Sequence, residues 1–279
     1  MAFMYESEMR FYRGRAPRLA LNVSRAWFTA RDPESHQSIV MMDDLSARGV
    51  TFCRMQRAHS YSEAASFLSA LARHHALWWG RPELDDNGEL GWVTRPDEGS
   101  SKGYQEHYLA TERWAHYMEQ PRGLAVPAAF RDNALMRDLL GRLWALHREH
   151  PSTLNHGDTH PGNLFIEADG SPGFFDAQAC RAAWFYDVPY HLIASLDILD
   201  RRRWERPLLA HYLACLKVHG VVEVPPFDEA FELYRRAIPW GLFVFLINET
   251  RFQTEAVNTG YAARFGAAAA DLDVLGAYR

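Results

Sequence analysis

Helical and strand-like patterns are distributed unevenly along this chain of 279 residues. Apolar residues recur at helical spacing in four long segments: 60–80, 104–119, 133–150 and most of the chain after residue 186. The runs typical of strands are short and lie at 22–30, at 38–42 and in the segments LFI and GFF. The sequence therefore predicts an α+β fold in which a small sheet precedes a much larger helical part.

The boundaries of these segments follow from residues that begin or end helices. Ser60 and Glu63 form a capping-box pattern, and Gly14 ends a first helix that begins near Tyr5. Strands at 22–30 and 38–42 then predict a hairpin. We expect a first domain over residues 1–45, with a helix and a short antiparallel sheet, and a helical second domain over residues 46–279.

Within the last helical part, Gly220, the Pro225–Pro226 pair and Pro239 predict breaks. The run Arg201–Arg203 predicts a solvated helix start.

Composition excludes several classes of protein. The net charge is −5, and lysine occurs only at Lys102 and Lys217, so no basic run is present that would follow a nucleic-acid backbone. The three cysteines lie far apart, which favours a reducing compartment over a disulfide framework. No apolar run is long enough to cross a bilayer. We expect a cytoplasmic protein without nucleic-acid or membrane partners.

The segment LNHGDTHPGNLFIEADGSPGFFDAQ carries the strongest chemical signal. Asn163 follows Asp158 by five residues, and Asp176 comes after a hairpin-sized gap. In phosphoryl transfer, an aspartate accepts the proton of the acceptor hydroxyl, while an asparagine and a second aspartate hold the metal ions that bridge the phosphates. Carboxylate and amide oxygens are the ligands that Mg²⁺ prefers. The spacing therefore predicts a phosphoryl-transfer site.

These residues also resemble a known family. HGDTHPGN with the later FFDAQ resembles the H-G-D-x-H-x-x-N and D-x-x signature of aminoglycoside phosphotransferase-like kinases. The wider chain resembles their choline-kinase-like and ecdysteroid-kinase-like (CHK) branch. SEMRFYR is similar to the family's E-x-x-F-Y helix, IVMMDDL to its hinge strand, and LSALARHHALWWG to the first helix of its larger lobe. The resemblance implies a protein-kinase-like fold with a small N-lobe and a large, mainly helical C-lobe.

The resemblance also implies roles for individual residues. Asp158 would be the catalytic base, and Asn163 and Asp176 would bind Mg²⁺. The nucleotide, ATP or GTP, would be held by Glu8 and by the hinge, which comprises Met41, Met42 and Asp43. His156 and His160 would support the catalytic loop, and Asp187 would cap a helix or brace that loop.

A kinase of this family also needs a Gly-rich loop and a strand lysine ahead of the helix glutamate. No lysine precedes Glu8. The N-lobe is therefore expected to lack its first part, either because the true start lies upstream, which we favour, or because this form has lost normal ATP handling.

The leading hypothesis is an enzyme that phosphorylates a hydroxyl of a small molecule. One alternative is a catalytically impaired, kinase-like binding or regulatory protein. Another is a metal-dependent hydrolase that uses His156, Asp158 and His160 as ligands. The acceptor stays open, although aromatic residues outnumber acids in the last helices, and this favours an apolar alcohol over a polycationic aminoglycoside.

Overall fold

The computed structural model describes residues 2–14, 20–35 and 37–279. Its α-helices are α1 (Ala2–Gly14), α2 (Tyr61–Trp78), α3 (Gly99–Tyr108), α4 (Thr111–Met118), α5 (Pro121–Leu124), α6 (Asn133–Glu149), α7 (Asp187–Ser195), α8 (Ile198–Val218), α9 (Phe227–Ile247), α10 (Glu255–Asp271) and α11 (Val274–Ala277). Its strands are β1 (Ala26–Arg31), β2 (Ser38–Met42), β3 (Thr51–Phe52), β4 (Thr153–Asn155), β5 (Leu164–Ile166), β6 (Pro172–Phe174) and β7 (Cys180–Ala182). These elements confirm the predicted α+β class.

The N-terminal part consists of α1 packed on the hairpin β1–β2. The two strands pair antiparallel, with Thr29 opposite Val40, and α1 contacts both of them. The predicted hairpin is confirmed, but its first strand begins at Ala26 and not at residue 22. Val23 forms instead an isolated parallel bridge with Phe174 of β6, so the preceding segment is tied to the sheet near the motif. The predicted division at residue 45 stays a prediction.

Two small sheets flank the motif. β5 pairs antiparallel with β6, which confirms the predicted LFI–GFF hairpin, and β3 adds to its other edge. β4 pairs with β7, with Leu154 opposite Arg181. The sequence pattern did not reveal β3, β4 or β7, because strands of two or three residues are too short to show alternation, and β4 and β7 are buried on both faces. The motif loop therefore begins at a buried strand and ends at a hairpin.

The long helices form the body of the C-terminal part. α2 begins with the predicted capping box, in which the Glu63 amide donates to Ser60 Oγ (3.3 Å) and the Ser60 amide donates to Glu63 Oε2 (2.8 Å). It packs against α8, while α9 packs against α10. α7 is buried along its whole length, so it forms the centre of this part and places its side chains among the elements around it.

Three sequence predictions are wrong in detail. α9 continues through Pro239, because the buried apolar residues on both sides of the proline outweigh the roughly 3 kcal/mol that a proline costs inside a helix. The predicted helix 104–119 is two helices, α3 and α4. Arg201 is 1% exposed and pairs with Glu205 (2.7 Å) and with Asp271, so it is not solvated.

Within the described ranges, no helix is long and apolar enough to cross a membrane.

Candidate active site

The motif loop leaves β4 and turns at once at Gly157. This residue has a φ of +88°, a left-handed conformation that favours glycine. A Cβ atom at this position would lie 1.9 Å from the carbonyl oxygen of Gln178. The loop therefore passes so close to the segment after Asp176 that only glycine fits, and this contact brings the two halves of the motif together.

The turn that follows is stabilised by His160. Its Nδ1 accepts a hydrogen bond from the Gly162 amide (2.9 Å) and caps the 3₁₀ turn Pro161–Asn163. The His160 Nε2 atom lies 3.6 Å from Asp158 Oδ2. His156 is fully buried, and its Nδ1 accepts from the Asp158 amide (3.3 Å). Both histidines therefore hydrogen-bond to the loop backbone, as a supporting role requires.

The first residue of α7, Asp187, holds the start of the loop. Its Oδ2 accepts from the His156 amide (2.8 Å) and its Oδ1 from the Gly157 amide (3.0 Å). Burial raises the pKa of this carboxyl, but the hydrogen bond and charge of His75, the charge of His156 and the Gly157 amide outweigh that effect, so the pKa is lowered. A buried carboxylate is thus kept charged where it binds two loop amides.

Asp158 is held from two sides. Tyr190 Oη donates to its Oδ1 (2.8 Å), and Asn163 Nδ2 donates to its Oδ2 (2.8 Å). The side chain of Asp158 keeps 26% of its surface exposed. A carboxylate fixed by two donors and still open to solvent is suited to accept a proton from a bound molecule.

Asp158, Asn163, Asp176 and Glu8 line one cavity of about 620 Å³, which we call the acidic cavity. Asp176 has a φ of 54°, a left-handed conformation that is uncommon outside glycine. Its side chain opens into this cavity, but the protein around it raises its pKa by desolvation, and the charge of Asp158 raises it further. The pKa of Glu8 is raised to about 7, mainly because the carboxyl is buried and in smaller part because of the negative charge of Asp176.

The raised pKa values of Asp176 and Glu8 indicate that the protein does not fully neutralise the negative charge of these two carboxylates. The Asp176 carboxylate and the Asn163 amide oxygen are donors that fit a hard divalent cation such as Mg²⁺. Asn163 Nδ2 also donates to the Asp158 carbonyl (3.1 Å), so its Oδ1 is the atom that would coordinate a cation. Within the described part of the chain, no three His, Cys, Asp or Glu residues form a group that could hold a metal ion. His156, Asp158 and His160, the ligands of the predicted hydrolase alternative, are thus not part of such a group in this structure.

A second cavity, of about 310 Å³, meets the first at Asp158. We call it the aromatic cavity, because five rings line it: Trp92, Tyr104, Tyr186, Tyr190 and Trp240. Asp158 and Tyr190 line both cavities. Tyr190 was not predicted as a site residue. Its position three residues after Asp187 places both residues on one side of a helix, and this spacing is the sequence signal that could have identified it.

The predicted hinge residues lie elsewhere. Met41, Met42 and Asp43 are not among the described residues that line either cavity. The Asp43 amide donates to the Arg25 carbonyl (3.0 Å), and its own carbonyl accepts from Ser24 Oγ (3.1 Å). The structure therefore brings Glu8, Asp158, Asn163 and Asp176 together, while contact between the hinge and a nucleotide stays a prediction.

Comparison with known proteins agrees with this geometry. The model of the APH phosphotransferase enzyme family matches residues 8–223. This chain belongs to that phosphotransferase family. The match runs from Glu8 to beyond α8 and so contains the complete motif, which confirms the predicted relationship. No curated protein sequence matches the chain.

Solved structures extend the comparison to the fold. The chain is similar to an ethanolamine kinase of Plasmodium vivax, with a TM-score of 0.56 and 12% identity over 95% of this chain and 70% of that one. This APH-family chain thus has the predicted protein-kinase-like fold. A macrolide 2′-phosphotransferase of Brachybacterium faecium matches with a TM-score of 0.46 and 16% identity, over 93% of this chain and 80% of that one. A GDP complex of aminoglycoside 2′-phosphotransferase-IIIa matches with a TM-score of 0.48 and 11% identity, over 97% and 83%.

Proposed function

We propose that the protein transfers the γ-phosphoryl group of ATP or GTP to a hydroxyl of a small-molecule alcohol. One observation carries the proposal: Asp158 lies where the acidic cavity meets the aromatic cavity. A phosphoryl donor in the first cavity and an alcohol in the second would therefore both reach the same carboxylate, as in-line transfer requires.

In this proposal, Asp158 accepts the proton of the attacking hydroxyl. Tyr190 and Asn163 fix its two oxygens, so the base is oriented before the substrate arrives. Asn163 and Asp176 would hold Mg²⁺, which bridges the phosphates and neutralises their charge when it is bound. Asp187, His156 and His160 keep the loop in this shape through the hydrogen bonds described above.

Other residues of the acidic cavity contribute to nucleotide binding. Arg54 is the one arginine among the described residues that line this cavity, and we assign it to a phosphate of the nucleotide. Glu8 lies beside Asp176 and contributes negative charge on the metal side. Met41, Met42 and Asp43 remain our candidates for contact with the base, after a rearrangement that frees the Asp43 backbone.

The hydrogen bonds of Asp43 favour a second candidate function. If the Arg25–Asp43 pairing persists in solution, the hinge backbone is not free to bind a base, and the protein is a kinase-like binding or regulatory module. The two candidates differ in one observable property, because only the enzyme transfers phosphate.

The test uses the full chain with γ-labelled ATP or GTP, Mg²⁺ and a panel of alcohols. We expect labelled phosphate in an alcohol product, and we expect Asp158→Asn to lower kcat by about 10²- to 10⁴-fold, the usual contribution of a general base. Asp169→Asn is the matched control, because Asp169 lies in the exposed β5–β6 turn. Equal rates for Asp158→Asn and the wild type would contradict the proposal, and a folded chain that neither binds a nucleotide nor transfers phosphate would favour the binding module.

A further inference from the structure

We infer that the aromatic cavity selects an uncharged alcohol with a compact hydrocarbon body and one reacting hydroxyl at the Asp158 end. This inference rests on the proposed function, since it assigns the acceptor of the same site. It follows from three features of the described lining: its rings, its charges and the hydrogen bonds that its polar groups already make.

The rings give the cavity apolar walls. Tyr186 and Trp240 pack against each other with ring centroids 5.2 Å apart, and Tyr190 stacks on Phe245 at 5.5 Å. The Tyr190 hydroxyl is bound to Asp158, so the ring is held in place on the side of the reacting group. Apolar and aromatic walls around few polar groups are typical of sites that bind an apolar body.

The charges of the lining nearly cancel away from Asp158. Glu6 pairs with Arg10 (2.6 Å) and with Arg31 (2.8 Å). The Arg10 guanidinium also lies 5.7 Å from the centroid of the Trp92 ring. A cationic ligand would therefore meet an acid that is already neutralised, an aromatic ring already approached by a cation, and the positive charge of Arg10 itself. At Glu6, Arg10 and Trp92 the lining therefore disfavours a cationic group.

Two side-chain amides of the lining, the buried Gln105 and the half-buried Asn248, already make hydrogen bonds within the protein. Gln105 Oε1 accepts from Trp144 Nε1 (3.0 Å), and Asn248 Nδ2 donates to Asn258 Oδ1 (3.0 Å). A polyhydroxylated ligand could use these two bound groups only by breaking an existing hydrogen bond, and a hydroxyl left unpaired is costly in a buried site. The lining therefore favours a body with few polar groups over a sugar-like one.

Matched pairs of alcohols test the charge preference directly. 3,3-Dimethylbutan-1-ol and choline have the same shape but differ by one positive charge, and so do 2-cyclohexylethanol and 2-(piperidin-4-yl)ethanol at neutral pH. Binding to the full chain is measured by calorimetry and tryptophan fluorescence without nucleotide, and phosphate transfer is measured separately with Mg-ATP. We expect the neutral member of each pair to bind about tenfold tighter or better. Equal binding, tighter binding of the cation, or no binding of either neutral alcohol would overturn the inference.

Two variants and one control test whether the alcohol binds in the aromatic cavity. Arg10→Met removes the positive charge, and we expect it to reduce the preference for the neutral alcohol by about two- to fivefold. Ser101→Trp fills the cavity from α3 and should abolish binding, whereas Ser62→Trp, on the exposed first turn of α2, should not. An unchanged preference in Arg10→Met, or unchanged binding in Ser101→Trp, would refute the assignment to this cavity.

The two proposals fail in different ways. Selective binding of neutral alcohols without any phosphate transfer contradicts the proposed function and leaves the ligand class supported. Transfer to alcohols with no preference for the neutral member contradicts the ligand class and leaves the phosphotransferase proposal standing.

Discussion

Tyr190 Oη donates a hydrogen bond of 2.8 Å to Asp158 Oδ1, and it does so from α7, which also carries Asp187, the acceptor for two amides of the Asp158 loop. One buried helix thus fixes both the backbone of the loop and the carboxylate of its central residue. The position of the proposed base is therefore set by tertiary packing and not by the loop alone.

Tyr190→Phe removes this hydrogen bond and keeps the ring. We expect kcat to fall about tenfold or more with little change in KM, because a hydrogen bond to a charged group is worth roughly 1.5–3 kcal/mol and this one orients the reacting atom. Tyr234→Phe is the control, since the buried Tyr234 hydroxyl has no hydrogen-bond partner among the described residues. A drop in kcat of the same size in both variants would show that the Tyr190 contact has no specific role.

Gly157→Ala tests the close approach of the two motif segments. Gly157 and Gly170 have nearly the same φ, +88° and +87°, but an added Cβ would meet the Gln178 carbonyl at 1.9 Å only at Gly157, and nothing within 4 Å at Gly170. Both alanine variants carry the cost of a left-handed conformation, about 1–2 kcal/mol. Gly157→Ala should lose clearly more free energy of unfolding, measured in urea, and most of its activity. Equal losses in the two variants would be incompatible with this geometry.

Asp187→Ala should destabilise the protein by about 2–5 kcal/mol. The variant leaves the buried amides of His156 and Gly157 without their acceptor, and each unsatisfied group costs roughly 1–3 kcal/mol. Asp197 also accepts two amides, those of Leu199 and Asp200, but it is the exposed N-cap of α8. Asp197→Ala should therefore cost only about 1 kcal/mol. The measurement is the free energy of unfolding of each variant relative to the wild type. Equal losses in Asp187→Ala and Asp197→Ala would contradict the prediction.

His59 should make the protein sensitive to acid. Both of its ring nitrogens are buried without a hydrogen-bond partner among the described residues. Burial and the charge of His191 lower its pKa from 6.5 to about 3, although Glu63 acts in the opposite direction. As pH falls below 6.5, the unfolded chain therefore binds a proton that the folded protein does not, and stability is lost.

The corresponding variant is His59→Phe, since the His59 ring already stacks on Phe67 at 5.0 Å. Between pH 6.5 and pH 5 the wild type should lose about 1.5 kcal/mol more than this variant, because each pH unit corresponds to roughly 1.4 kcal/mol per proton and the unfolded histidine is already half protonated at pH 6.5. His219→Phe, at an exposed position, should keep the wild-type dependence. Parallel curves of unfolding free energy against pH for the wild type and His59→Phe would refute this prediction.

Much of the site could be predicted from the sequence because its residues lie close together along the chain. Asp158, Asn163 and Asp176 fall within one loop and one hairpin, so their spacing predicted a common site, and the structure places all three in the lining of one cavity. Glu8 was predicted from its resemblance to the family helix, and the structure places it beside Asp176.

What the sequence did not reveal depends on contacts between distant segments. Tyr190 reaches Asp158 across 32 residues, and the pairing of β4 with β7 joins segments that show no strand pattern of their own. The solvated position predicted for Arg201 was wrong because its partner Asp271 lies 70 residues further along the chain. Pro239 did not end its helix because tertiary burial outweighed local preference. In each case the structure depends on contacts between segments that are distant in the sequence, and a local sequence pattern does not contain this information.

The most direct test of the central claim is titration calorimetry of the full chain with ATP or GTP, in Mg²⁺ and in EDTA. We expect Mg²⁺-dependent nucleotide binding that Asp176→Ala and Asn163→Leu weaken by about tenfold or more. Asp158→Asn should largely retain this binding while it lowers kcat by about 10²- to 10⁴-fold. Nucleotide binding that is independent of Mg²⁺, or that is unchanged by Asp176→Ala, would contradict the claim that the acidic cavity is a phosphoryl-transfer site.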